Sequence, residues 1–216
     1  TVLSNQNQLS GTLISGIYYN YDKQYLVVAY DDSNIDIIAE NGKVTNIPNI
    51  KDAVMTQSRI INDVTFCGDK IFVATGFGFV VIDDTKMRIT ETRVYSYNIS
   101  SVAEVGKWRI VFLPNQDVFY CPTNSVPEWL NGYKKTTITN MVNGKILAIN
   151  DATILVKQDS RLTKVTIADS GTDACACIAQ VSAWEGHYAD GRSRLPLYDT
   201  EPLTIWLVHG EESPLR

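Results

Sequence analysis

Residues 64–93 read VTFCGDKIFVATGFGFVVIDDTKMRITETR. Valine, isoleucine, phenylalanine and threonine form four short runs, and glycine and aspartate separate those runs. Such runs are typical of half-buried β-strands, while glycine and aspartate favour the tight turns of hairpins. The stretch therefore predicts four strands joined by three turns, with the strands at residues 64–67, 70–75, 78–82 and 87–93.

The same pattern occurs four times in the chain, at residues 17–48, 64–93, 102–131 and 141–168. The second strand is the clearest part of each repeat, and we place it at 24–30, 70–75, 108–113 and 145–150. A period of about 40 residues with four strands per unit is the signature of propeller blades. We therefore predict an all-β fold, a β-propeller of four-stranded antiparallel blades.

The repeat pattern stops after Ser170. We place the blades in residues 1–170 and expect residues 171–216 to form either a divergent fifth blade or a poorly patterned tail. Closed propellers have roughly four to eight blades, and we expect the upper part of that range. An open array would expose strand edges and blade faces. The sequence therefore predicts an incomplete propeller, with four clear blades and a divergent tail.

Composition and charge exclude two classes of function. The chain of 216 residues has a formal net charge of −5, and its longest run of basic residues is Lys134-Lys135. Binding to nucleic acid needs a basic face, so we expect no nucleic-acid partner. No apolar stretch approaches the roughly 18 residues of a membrane helix, so we predict no transmembrane segment in this chain.

The sequence contains no recognisable catalytic or metal-binding motif. Both histidines, His187 and His209, follow the repeats, and neither stands beside a nucleophile motif. The Gly-Phe-Gly at 76–78 lacks the third glycine and the helix of a nucleotide loop. No cluster of Cys and His has the spacing of metal ligands. We therefore predict a protein that is not an enzyme and has no metal or cofactor, although a carboxylate pair for glycoside cleavage stays open.

Aromatic residues near strand ends and linkers are the candidate binding residues, and they are Tyr18, Tyr19, Tyr95, Tyr97, Trp129 and Tyr133. Such rings stack on sugars and peptides, but they more often seal the interfaces between blades. Trp129 and Tyr133 differ because they lie in an irregular segment, residues 124–133, that replaces a regular fourth strand. Insertions of this kind lie on one rim of a propeller and often bind ligands. We therefore predict Trp129 and Tyr133 as ligand-binding residues.

The first two repeats resemble a known family. The resemblance is carried by YLVVAY at 25–30, SNID at 33–36, VTNIPNIK at 44–51, INDV at 61–64 and ATGFGFVVID at 74–83. In this order they resemble the N-terminal propeller of PorZ-type proteins of the type IX secretion system in Bacteroidota, over about residues 10–168. More loosely, the chain is similar to the two-component-regulator propellers of periplasmic sensors, whose Trp-Ile-Gly-Thr-like strand is partly matched by FVATG at 72–76.

The PorZ resemblance implies an exported, non-catalytic protein of the cell surface or periplasm. Such a protein would act in secretion and in the attachment of cargo proteins to surface lipopolysaccharide. Its expected partners are other secretion-system proteins or the surface lipopolysaccharide glycan. The alternative is a periplasmic ligand-sensing propeller of a hybrid two-component regulator, and a propeller lyase or glycosidase is the third possibility.

Overall fold

The computed structural model describes residues 8–115, 117–136, 138, 141–149, 152–158, 161–168 and 178–185. The chain divides into two compact units, Thr1–Glu185 and Gly186–Arg216. The second unit, which contains His187 and His209, lies outside the described residues. Among the described residues no helix is long and apolar enough to cross a membrane.

Within the described residues, sixteen strands form four antiparallel sheets of four strands each, and the sheets are arranged as the blades of a β-propeller. Each blade is a simple meander, in which consecutive strands pair with one another. The prediction of an all-β propeller is therefore confirmed. The strands are β1 (Ile14–Asn20), β2 (Tyr25–Tyr30), β3 (Ile35–Ala39) and β4 (Val44–Ile47) in the first blade; β5 (Ile61–Cys67), β6 (Lys70–Thr75), β7 (Gly78–Asp83) and β8 (Arg88–Val94) in the second; β9 (Ser101–Val105), β10 (Trp108–Phe112), β11 (Val118–Pro122) and β12 (Lys134–Lys135) in the third; and β13 (Lys145–Ile149), β14 (Thr153–Gln158), β15 (Arg161–Ala168) and β16 (Ile178–Glu185) in the fourth.

The fourth blade differs from the fourth repeat that the sequence predicts. Residues 145–150 were expected to be a second strand, but β13 is the first strand of its sheet and β16 is the fourth. The fourth blade thus extends past residue 170, where the sequence analysis ended the blades. An apolar run marks a strand, whereas the position of that strand in the blade depends on which other strands it pairs with. The incompleteness of the propeller stays a prediction, as does a divergent fifth blade or poorly patterned tail within residues 171–216.

Apolar side chains packed between neighbouring blades form the core. Ile37 of the first blade and Ile71 of the second belong to one cluster, and Phe72 and Val111 belong to the cluster between the second and third blades. A third cluster joins the third and fourth blades and includes Phe112. Strands β6 and β7 are buried on almost every residue because blades cover both of their faces.

In the part of the chain that the structure describes, helical structure is confined to short connections. Helix α1 (Asn49–Asp52) links the first two blades, and a 3₁₀ helix (Leu130–Gly132) lies between β11 and β12. The 3₁₀ helix belongs to the irregular segment that the sequence analysis identified. The segment is followed by a fourth strand of only two residues, so the third blade has a short outer edge.

Candidate functional site

A cleft of about 420 Å³ lies at the junction of the second and third blades. Its walls combine aromatic rings, apolar side chains, two amides and one carboxylate. The lining residues are Tyr95, Tyr97, Leu113, Asn115, Asp117, Phe119, Trp129, Leu130 and Asn131. Rings together with amides are the groups that bind sugars or peptides in proteins.

Three separate segments of the chain build the cleft. The first connects β8 to β9, the second is the turn between β10 and β11, and the third is the insertion before β12. The backbone joins the first two segments, because the Ser100 N–H donates to the carbonyl of Phe112 at 2.8 Å. The Leu113 N–H closes the turn by donating to the carbonyl of Asp117 at 2.8 Å. The cleft therefore rests on the backbone of the third blade and of the connection that enters it.

The insertion presents Trp129 to solvent. The backbone N–H of Gly132 donates to the carbonyl of Trp129 at 3.0 Å, and the N–H of Tyr133 donates to Leu130 at 3.0 Å. Leu130 is buried and anchors the segment, whereas 61% of Trp129 is exposed. A side chain at Gly132 would lie 2.6 Å from Cβ of Pro127, so the segment can close this tightly only with glycine there.

The two predicted binding residues have different environments. Trp129 lines the cleft, as a ligand-binding ring must. Tyr133 is only 5% exposed and lies behind the cleft wall. Its ring packs edge-on against Tyr95 with centroids 5.9 Å apart, and the two hydroxyls are 3.0 Å apart. Tyr133 thus supports Tyr95 and is not among the lining residues.

Eight of the nine lining residues were not predicted as binding residues. Two of them, Tyr95 and Tyr97, were visible as aromatic residues near strand ends, and Tyr97 is 55% exposed. The others are Leu113, Asn115, Asp117, Phe119, Leu130 and Asn131. The two polar residues of the β10–β11 turn read as ordinary turn residues. Only the approach of the insertion to this turn makes them part of a site.

The cleft lining contains one charged side chain, the carboxylate of Asp117. Lys135 forms an ion pair with Asp117, with Nζ 2.5 Å from Oδ1. Burial, and secondarily the contact with Tyr95, raise the pKa of Tyr133, and burial also raises the pKa of Tyr95. Both hydroxyls are therefore neutral at physiological pH. The lining includes one carboxylate and no histidine or cysteine, so it lacks the paired acid and base that hydrolysis requires.

The part of the chain that the structure describes contains no group of three or more His, Cys, Asp or Glu residues that could hold a metal ion. Two of the acidic residues at 31–36 have partners in the first blade or in the segments that flank it. Asp36 accepts hydrogen bonds from the Tyr30 hydroxyl at 2.7 Å and from the Ser10 N–H at 2.7 Å. Asp32 pairs with Lys51 at 2.9 Å.

Four-stranded meander blades packed face to face define the class of protein, a β-propeller. The family follows from residues 1–126, which match the model of the N-terminal β-propeller domain of PorZ, of the type IX secretion system. The match spans more than half of the chain. The chain therefore belongs to the family of PorZ N-terminal β-propeller domains.

Solved structures with the same fold include PorZ of Porphyromonas gingivalis, described as an essential bacterial surface component of the type IX secretion system. It is 18% identical with a TM-score of 0.50, and the match covers 82% of this chain and 28% of that one. The structure of U3-55K is 12% identical with a TM-score of 0.57, covering 82% and 53% of the two chains. A computationally designed protein is 8% identical with a TM-score of 0.50, covering 82% and 95%.

At these low sequence identities, the structural similarity shows a shared fold. The chain spans less than a third of the PorZ chain and about half of the U3-55K chain. No curated protein matches the chain.

Proposed function

We propose that this chain is an exported, non-catalytic binding and scaffold propeller of the type IX secretion machinery. Its role is in the surface attachment of cargo proteins, and its location is the cell surface or the periplasm. The observation that carries this proposal is the family match over residues 1–126. The cleft adds a site at which such a propeller can hold a partner.

The partner binds at the cleft between the second and third blades. Trp129 and Tyr97 offer exposed ring faces, and Leu113 and Leu130 supply an apolar floor. Exposed rings of this kind contribute affinity because their apolar faces lose contact with water on binding. Tyr133 acts indirectly, by holding Tyr95 in the wall.

The partner is another secretion-system protein or the glycan of surface lipopolysaccharide. The side-chain amides of Asn115 and Asn131 lie beside the exposed rings. Amides and ring faces together match the hydroxyls and apolar faces of a sugar, which supports the glycan. A loop of a partner protein could use the same rings, so the two partners need separate binding measurements.

The cellular test replaces the chromosomal gene with a Trp129→Ala/Tyr97→Ala variant. We expect cargo to be lost from the cell surface, as in a deletion strain, while the level of the variant protein stays normal. The matched control is Tyr19→Ala/Tyr21→Ala, which removes two exposed rings of the first blade, away from the cleft. Normal cargo display in the deletion strain would overturn the role in secretion.

The binding test uses the purified chain with two probes, the delipidated polysaccharide of surface lipopolysaccharide and a purified cargo protein. We expect binding of one probe by the wild type and by the first-blade control, and at least about tenfold weaker binding by the cleft variant. Equal affinities for the three proteins would exclude the cleft as the binding site and leave the family assignment unaffected.

A further inference from the structure

A buried carboxyl group lies where the first strands of the blades meet. Strand β5 contacts β1, β9 and β13, so residues of β5 face the centre of the propeller. Asp63 of β5 is 4% exposed, and its Oδ2 accepts a hydrogen bond from Ser101 Oγ of β9 at 2.5 Å. Ser101 is fully buried, and its Oγ also accepts from the Ile146 N–H of β13 at 3.2 Å. Asp63 thus joins the second, third and fourth blades through one chain of hydrogen bonds.

Two titratable groups from the other strands act on Asp63. Lys145 of β13 supplies a positive charge, and its Nζ donates to the carbonyl of Asn62 at 2.7 Å. Tyr18 of β1 is the other group; burial, and then the charge of Asp63, raise the pKa of its hydroxyl. With Tyr18, residues of all four blades surround the carboxyl. The backbone N–H groups of Val64 and Ile146 also act to lower the pKa of Asp63.

Burial makes the neutral form of this carboxyl favourable. It raises the pKa of Asp63 to about 6, although Ser101 and Lys145 act in the opposite direction. An unfolded Asp has a pKa of about 4. Between about pH 4 and 6 the folded chain therefore holds this proton more tightly than the unfolded chain does. The stability that this proton contributes is present at low pH and is lost as the pH rises through about 6.

We propose that Asp63 is a proton-dependent latch at the centre of the propeller. When its carboxyl is neutral, the hydrogen bonds through Ser101 hold the first strands of the second, third and fourth blades together. When the carboxyl ionises, its charge is held away from water; the hydrogen bond from Ser101 strengthens but does not offset the lost hydration, so opening of the junction with β13, which would hydrate the carboxylate, becomes more favourable. Lys145, the nearby cation on β13, limits but does not cancel this cost.

The test compares the wild-type chain with Asp63→Asn, which stays neutral at every pH. Urea unfolding is measured from pH 4 to 7.5. For the wild type, we expect ionisation of Asp63 to raise the unfolded-to-folded ratio by up to about 100-fold over this range. The variant should show no such rise. Asp117→Asn is the control, because it removes a half-exposed carboxylate of the cleft and should keep the wild-type pH dependence. The same pH dependence in Asp63→Asn and in the wild type would overturn the latch.

A second measurement uses the wild type alone and so does not depend on the folding of the variant. Amide hydrogen exchange, corrected for its intrinsic pH dependence, is followed in β13 and in β7. We expect protection of the Ile146 amide to fall at least about tenfold between pH 5 and 7.5, with little change in β7. Carbon-13 titration of the aspartate carboxyls should show one midpoint near pH 6. Unchanged protection of β13, or midpoints that all lie below about 5, would contradict the proposal.

Discussion

Arg109 Nη1 of the third blade donates a hydrogen bond to Glu91 Oε1 of the second blade at 2.6 Å. Its Nη2 donates to Glu104 Oε1 at 2.7 Å, and its guanidinium lies 5.2 Å from the ring centroids of both Phe72 and Phe79. Burial opposes ionisation of Glu91, but hydrogen bonds from Arg109 and Arg93 outweigh it and lower the pKa of Glu91. A buried cation therefore ties together the second and third blades, the two blades between which the cleft lies.

Replacing Arg109 should destabilise the chain strongly. Arg109→Ala leaves Glu91 and Glu104 without their buried partner and opens a void beside two phenylalanine rings. We expect a loss of about 3–5 kcal/mol in the free energy of unfolding, measured by urea denaturation. Arg93→Ala is the control, because Arg93 pairs with the same Glu91 but has 26% of its side chain exposed. The control should cost less than about 1 kcal/mol. Similar losses for the two variants would contradict a buried cation at this interface.

Replacing each of the two aromatic residues of the insertion should change the free energy of unfolding by a different amount. Tyr133→Ala removes a buried ring and its contact with Tyr95, so we expect a loss of about 3–5 kcal/mol. Trp129→Ala removes an exposed ring and should change the free energy of unfolding by no more than about 0.5 kcal/mol. Denaturant midpoints of the purified variants check both values. A large loss for Trp129→Ala would mean that its ring supports the fold of the insertion.

Gly78 should tolerate no side chain. Its φ is +147°, and a Cβ at this position would lie 2.0 Å from the carbonyl oxygen of Arg93. We expect Gly78→Ala to cost about 3 kcal/mol or more, because the backbone of β7 or β8 must move. The control is Gly42→Ala, at φ +81° with no atom within 4 Å, which should cost about 1–2 kcal/mol from backbone strain alone. Thermal unfolding measures both, and equal shifts would rule out the close approach of β8.

The two described cysteines should react slowly in the folded chain. Burial raises the pKa of both Cys67 and Cys121 to about 11. At pH 8 only about one thiol in a thousand is then ionised, and the thiolate is the form that reacts with alkylating agents. We expect iodoacetamide to label both cysteines at least about 100-fold more slowly in buffer than in denaturant, as followed by peptide mass mapping. Rapid labelling of Cys121 in buffer would show that the interface between the second and third blades opens.

The strands were largely predictable because their signals are local. Strand β6 has the bounds expected from its apolar run and the turns on either side. The position of β13 in its blade was not predictable, because a run such as KILAI can pair with a strand before it or with a strand after it. The fourth strand of that blade, β16, begins beyond the last residue of the visible repeat. Alternation and turn residues identify strands, and pairing is decided by contacts between distant segments.

The candidate site was predictable only in part, for the same reason. The irregular composition of residues 124–133 marked the insertion, and Trp129 lies in the cleft. Tyr133, four residues later, is buried because its ring packs against Tyr95, which is 38 residues away along the chain and whose hydroxyl lies 3.0 Å from that of Tyr133. Asn115 and Asp117 line the cleft because their turn comes close to the insertion. Residue type alone does not distinguish these environments.

By itself, the stretch from Val64 to Arg93 determined the blade. Its apolar runs can be buried only as strands between neighbouring sheets, and its glycine and aspartate residues turn the chain at short intervals. The tertiary structure alone decided which rings and polar groups meet between the second and third blades, and which carboxyl group occupies the centre of the propeller. Strand formation follows from the order of neighbouring residues, whereas the cleft and the environment of Asp63 arise only when segments far apart in the chain pack together.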